Sequence, residues 1–288
     1  MKEAERNALI ALPLAILVAV GVALAGSQGG ASVLGVPLFA IAVGLAFLIQ
    51  WLAFIPAYLL QTEKFYDLMG SITYISVVTL AVLLSPTIED RSALLLVLVV
   101  TWTVRLGTFL ATRIQKEGKD SRFDDIKPSF LRFLQAWTIQ GLWVTLTSAA
   151  VLAAITTSVR KPLSWFALAG FLVWAFGFSF EVVADVQKSR FRADPENKGQ
   201  FIHSGLWARS RHPNYFGEIV LWIGVAIIVL PVLRGWQWVT LISPLFVIFL
   251  LTRVSGVPML EKKADKRWGG QEDYEAYKER TPVLIPRL

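Results

Sequence analysis

Residues 36–59 read Val-Pro-Leu-Phe-Ala-Ile-Ala-Val-Gly-Leu-Ala-Phe-Leu-Ile-Gln-Trp-Leu-Ala-Phe-Ile-Pro-Ala-Tyr-Leu, without one charged side chain. As an α-helix rising about 1.5 Å per residue, such a run crosses the roughly 30 Å hydrocarbon core of a bilayer. Seven more runs of the same kind give spans at about 8–25, 36–59, 68–86, 93–112, 133–156, 164–186, 215–232 and 237–253. They are rich in Leu, Ala and Val without sustained two-residue alternation, which argues against a membrane β-barrel. The 288 residues are 55% hydrophobic and have mean hydropathy +0.56, more apolar surface than a soluble domain of this size can hide. The expected fold is all-α, a polytopic membrane bundle of eight helices, or seven if the first stands outside the bundle. That first run, with Lys2 and Arg6 before it and Ala-Leu-Ala-Gly-Ser at 23–27 after it, also has the outline of a secretory signal peptide. It is read here as a helix.

Charge tests the count of spans. Arg91, Arg160, Lys161 and Arg234 lie on connections of one parity, and Arg105 lies inside a span; the other 23 of the 28 Lys and Arg fall on connections of the opposite parity or at the termini. An odd number of spans would scramble this alternation. By the positive-inside rule the protein is an integral membrane protein with both termini and its basic connections in the cytoplasm. The net charge of +7 is then explained by topology, with no need for nucleic acid as a partner. No cysteine is present, so disulfides, iron–sulfur clusters and thiol nucleophiles are excluded; His203 and His212 are the only histidines, so no metal site is expected. Trp51, Trp137, Trp165, Trp207, Trp236 and Trp238 fall near span ends and read as interfacial anchors. Nothing in the pattern assigns an oligomeric state.

Ionisable groups inside spans are expensive and face a cavity or a partner. Here they are Arg105, Glu181, Asp185 and Glu218, with Glu181 and Asp185 on one helix face. A salt-bridged bundle is the structural alternative. Most of these groups lie where the basic loops converge, which counts against a transport path through the midplane. The segments 113–125 and 187–200 interleave Arg and Lys with Asp, Asn and Gln. Arg clamps phosphate bidentately while Asp and Asn address ribose hydroxyls or an adenine edge, so the mixture suits a multi-phosphate nucleotide. No Gly-x-Gly-x-x-Gly, Walker loop, Gly-x-Ser-x-Gly or His-Glu-x-x-His is present. A nucleotide site would therefore be built from helix ends and loops.

The stretch Gly205-Leu-Trp-Ala-Arg-Ser-Arg-His-Pro-Asn-Tyr-Phe-Gly-Glu218 resembles a pattern shared by membrane sterol reductases, steroid 5α-reductases and isoprenylcysteine-type methyltransferases. With Trp102 to Arg113, Asp120-Ser-Arg-Phe-Asp124, Asp185 through Arg192, Leu251-Thr-Arg253 and Tyr274-Glu-Ala-Tyr277-Lys…Ile285-Pro286, the chain is most similar to the steroid 5α-reductase family, above all its bacterial members. The likeness covers about residues 60–288, dividing the chain into N-terminal helices 1–60 and a catalytic domain 61–288. It implies a bacterial inner-membrane enzyme that uses NADPH to reduce the C=C bond of a Δ4-3-ketosteroid or similar lipid enone, in a cofactor pocket closed by cytoplasmic loops. The substrate would be a small apolar molecule entering from the bilayer, beside membrane lipids.

Carried over by position, the resemblance implies cofactor binding by Arg113, Asp185, Arg192, Asn214, Glu218 and Arg253, with Arg211, His212 and Tyr215 as neighbours. The catalytic set is less direct: Asp67 stands opposite a family glutamate and Trp102 opposite a family tyrosine. An indole donates a hydrogen bond but delivers no proton, so Tyr66 or Tyr74 is expected to supply the phenol. The rival is an S-adenosylmethionine-dependent lipid methyltransferase, which shares the Arg-His-Pro-x-Tyr element.

Overall fold

The computed structural model describes residues 3–287; Met1, Lys2 and Leu288 lie outside the described residues, as do the side chains of Lys116, Glu117 and Ser121. Among the described residues eight helical stretches are long and apolar enough to cross a membrane, the last of them, Gly235–Trp268, made of several shorter helices, and the protein is an all-α integral membrane protein. The helices are α1 (Glu3–Gly26), α2 (Leu38–Leu59), α3 (Tyr66–Leu83), α4 (Asp90–Glu117), α5 (Phe130–Thr156), α6 (Trp165–Ala193), α7 (Pro213–Val229), α8 (Ile242–Phe249), α9 (Val257–Trp268) and α10 (Glu272–Arg280). A two-residue hairpin, β1 (Ser32–Val33) with β2 (Val36–Pro37), joins α1 to α2. Its turn takes Leu34 and Gly35 at positive φ, as a tight primed turn requires.

The expected spans match the observed ones to within a few residues except the last. There the chain, after α8, makes a π turn at Leu250–Val254, breaks at Ser255 and Gly256 close to the expected end at 253, and resumes as α9. The α9 sequence carries Glu261, Lys262, Lys263, Asp265, Lys266 and Arg267, too many charges for hydrocarbon.

The chain forms two compact units: residues 1–164 with 229–243, and residues 165–228 with 244–288. This follows a different line from the 60/61 division, which rested on where the sequence becomes distinctive. The first unit is organised on α5, which packs against α1, α2 and α3. Every residue from Val144 to Thr156 is buried, as an all-round apolar helix in the middle of a bundle must be. Its hydroxyls are satisfied within the helix: Thr145, Ser148 and Thr156 each donate to the carbonyl four residues back. The first span belongs to this bundle, burying Ala8, Ala15, Ala19 and Val22. Two of the expected interfacial tryptophans are core instead. Trp137 is fully buried among Phe65, Tyr66 and Phe133, and Trp207 is buried with its indole N–H on the Ala184 carbonyl at 2.9 Å. Trp165, Trp236, Trp238 and Trp51 are exposed.

The second unit rests on a glycine seam. Gly170 and Gly177 of α6 face Gly224 and Gly217 of α7, and a Cβ on Gly177 would lie 2.6 Å from the Gly217 carbonyl oxygen. One on Gly224 would lie 2.5 Å from the Trp174 nitrogen, and one on Gly217 2.6 Å from the Glu181 nitrogen. The backbones touch, as small-residue seams in membrane helices allow. Gly224→Val and Gly177→Val should each destabilise the protein by about 1–3 kcal/mol, the usual range for overpacking. Gly21, with open space beside it, is the control: Gly21→Ala should leave the melting temperature in detergent unchanged or slightly higher.

Candidate functional site

In the second unit the seam decides what stands beside the 205–218 motif. Because Gly217 lets α6 approach, Glu181 packs directly on the first turns of α7. Glu181 and Asp185 are buried one helical turn apart. Gln187, further along the same helix, accepts the Leu206 N–H at 2.9 Å, and Gly205 takes φ +60° where a side chain would strike the Gln187 amide. Lys188 lies 4.1 Å over the Trp207 ring. The loop before the motif is thus tied to α6.

The C-terminal region holds the motif from its other flank. Tyr277 donates to the Trp207 carbonyl at 2.7 Å, the Arg211 N–H donates to Pro282 and the Arg287 N–H to Arg209, both at 2.9 Å. Ser210 donates to Leu284 at 2.8 Å. Burial pushes the Tyr277 phenol up, out of its usual range. Phe201 is ringed by Trp268, Tyr274 and Tyr277. This packing sets the closing Tyr274 and Tyr277 against the segment that leads into the motif.

Within the motif, Arg211 and His212 share one carboxylate that sequence reasoning missed. Glu261 of α9 meets Arg211 at 3.1 Å and His212 Nε2 at 2.7 Å. Its signal was an acid, like Asp265, set in the basic run Lys262, Lys263, Lys266, Arg267. Tyr215 stacks on the His212 ring at 5.7 Å between centroids. Burial holds the imidazole below its ordinary value, against the raising pull of Glu261. Asn214 begins α7 with its Oδ1 buried and without a hydrogen-bond partner among the described residues. Arg192, Arg209 and Arg253 are exposed and make no ion pair among the described residues. Arg253 sits in the π turn, a distortion frequent at functional sites. Glu218 lies one turn beyond Asn214 and is half-buried.

The remaining expected residues lie in the first unit. Arg113, assigned to the cofactor set, pairs with Asp67, assigned to catalysis, at 3.3 Å; Arg113 Nε is buried and has no acceptor among the described residues. Tyr66 commits its hydroxyl to the Ala136 carbonyl at 2.9 Å and packs on Phe123 and Trp137, so its phenol holds α3 to α5. Tyr74 and Trp102, both buried, meet edge to face at 5.3 Å. Asp67 and Tyr74 are two turns apart on α3, about 10 Å along its axis. Below Asp67 the connection from α4 to α5 is fastened by ion pairs. Lys127 reaches Glu63 at 2.5 Å, and Arg122 grips both Asp120 oxygens at 2.8 and 3.0 Å through Nε. Burial works against the charge on Glu63, but Lys127 and the Asp120 N–H outweigh it and hold that carboxyl low. Arg105 lies 5.8 Å from the Phe109 ring on its own helix.

The chain matches, over residues 53–281, the family described as "Protein of unknown function (DUF1295)", and it belongs to that family. It is also similar to the "Probable O-methyltransferase ustE" of Ustilaginoidea virens, 30% identical over 108 residues. That match covers 32% of this chain and 38% of the relative's length. No solved structure matches the chain.

The pH dependence of the motif follows from His212. Its folded value is depressed below 6.5, so the unfolded chain takes up the proton first as pH falls. Its contribution to stability is whole above about pH 6.5 and drains away below it. Melting temperature should drop between pH 7 and 5.5, and His212→Gln should flatten that part of the profile.

Proposed function

We propose that this protein is an NADPH-dependent reductase of the steroid 5α-reductase type, acting on the C=C bond of a Δ4-3-ketosteroid or a similar lipid enone. The observation that carries the reading is the set of exposed arginines, Arg192, Arg209 and Arg253, without carboxylate partners among the described residues, in a unit that also presents buried Asp185. Other cations of the chain are paired with carboxylates, as Lys127 is with Glu63 and Arg211 with Glu261. Cations left over suit the phosphates of a dinucleotide. The orphaned Asn214 oxygen fits a cofactor better than a solely structural motif, since buried acceptors are normally satisfied.

On this reading Arg192 and Arg253 hold phosphates, Asp185 addresses ribose hydroxyls, and Asn214 with Glu218 hydrogen-bonds the nicotinamide end, with Arg211, His212 and Tyr215 framing it. Bound NADPH supplies a hydride for the β-carbon of the enone. Asp67 with Arg113, 3.3 Å apart, is assigned to the ketone: the buried Nε–H of Arg113, without an acceptor among the described residues, is a donor suited to a developing enolate oxygen. Tyr74, edge to face with Trp102, is assigned the phenol, since the Tyr66 hydroxyl is held on the Ala136 carbonyl. The reading includes a bacterial inner membrane, both termini in the cytoplasm, and a substrate drawn from the lipid.

The second reading is an S-adenosylmethionine-dependent methyltransferase, favoured by the name of the fungal relative. S-adenosylmethionine carries no phosphate to meet the unpaired arginines. Purified protein should be stabilised thermally by NADPH and not by S-adenosylmethionine, and should convert progesterone or testosterone to a product two mass units heavier. Stabilisation by S-adenosylmethionine alone would give the protein to the second reading. Within the first, Arg192→Ala should weaken NADPH about tenfold or more, the usual cost of a charge-assisted contact.

A further inference from the structure

Glu261 is an acceptor only, so the hydrogen on the 2.7 Å contact belongs to His212 Nε2. Its second oxygen is taken by Arg211, 3.1 Å away. The His212 ring is 4% exposed, and burial keeps it neutral. Its other nitrogen, Nδ1, is therefore a bare lone pair, buried and without a partner among the described residues. Two residues on, Asn214 Oδ1 is in the same condition. A buried acceptor left unmade costs as much as a lost hydrogen bond, and two within three residues of one motif call for an explanation.

We propose that His212 Nδ1 is a built acceptor for an N–H donor of the bound nucleotide, a primary amide or an exocyclic amine, and that Glu261 is the positioning residue that fixes this tautomer. The inference rests on the reading of the motif as a nucleotide site and adds to it the hydrogen-bond polarity of the ligand. Glu261 orients both its neighbours at once: the carboxylate can satisfy Arg211 with one oxygen and His212 with the other, while the Tyr215 ring stacked at 12° holds the imidazole plane. A glutamine there cannot do both. Its one oxygen goes to the guanidinium, which only donates, and its NH2 meets Nε2. The imidazole proton then moves to Nδ1 and the acceptor is lost, with scarcely any change in volume.

The test measures dissociation constants in detergent for NADPH and two analogues. Reduced 3-acetylpyridine adenine dinucleotide phosphate lacks the carboxamide N–H; reduced nicotinamide hypoxanthine dinucleotide phosphate lacks the adenine amine. Wild type should bind one analogue about tenfold more weakly than NADPH, and which one it is identifies the donor. Glu261→Gln should weaken NADPH about tenfold, bind that analogue no worse than NADPH, and melt close to wild type. His212→Phe keeps the ring volume without a nitrogen and should lose the same discrimination, which serves if Glu261→Gln folds poorly. A purely structural Glu261 would leave the preference for NADPH over the analogue intact in Glu261→Gln, and that result overturns the proposal. So does a wild type that binds both analogues as tightly as NADPH. Failure to bind NADPH at all removes the underlying reductase reading as well, so the two failures are distinct.

Discussion

The contact between the backbones of α6 and α7 is the constraint on which the candidate site depends. Apolar side chains give helices in lipid little reason to associate, since the tails are as apolar as they are; close packing and polar contacts must supply it. Glycines seven apart on each helix remove the side chains that would keep the two backbones separate. One of them, Gly217, stands inside the motif, between Phe216 and Glu218. Its role is steric: it brings the buried acids of α6 up against the helix that the motif begins. A motif that reads as ligand chemistry therefore contains a packing residue, and the chemistry depends on it.

A second regularity concerns charge. Several buried or half-buried ions are paired closely, and the pairs tie distant segments together: Glu63 with Lys127, Asp67 with Arg113, Glu261 with Arg211 and His212. Breaking such a pair leaves an uncompensated charge in a poor solvent, which is why they act as fasteners. Arg192, Arg209 and Arg253 are exposed and have no counter-charge among the described residues. Cations exposed at helix ends of a membrane protein are ordinary. The combination with buried acceptors at His212 and Asn214, in the same unit, is what turns them toward a ligand.

The span pattern was legible in the sequence because it depends on local quantities. The length of an apolar run and the alternation of positive charge between runs need no knowledge of neighbours, and both gave eight helices. Beyond the eighth the chain breaks at Ser255 and Gly256 and resumes as the charged α9, a juxtamembrane helix that a hydropathy pattern does not register. Trp137 and Trp207 stood near span ends and were read as anchors. Depth of burial is decided by what packs around a ring, and here Tyr66, Phe133 and the Ala184 carbonyl do so.

The site residues divide the same way. Asp185, Arg192, Asn214 and Arg253 were visible as polar groups out of place in apolar surroundings, a property of the sequence alone. The pairing of Arg113 with Asp67, the anchoring of the Tyr66 hydroxyl on α5 and the sharing of Glu261 by Arg211 and His212 were not. They join residues 46, 70 and 49 positions apart respectively. By itself, then, the sequence determined a bundle of eight membrane helices and marked its polar groups, since hydropathy and charge are read residue by residue. Only the tertiary structure decided which of those groups satisfy one another and which are left over, since a hydrogen bond exists only where folding brings both partners within about 3 Å.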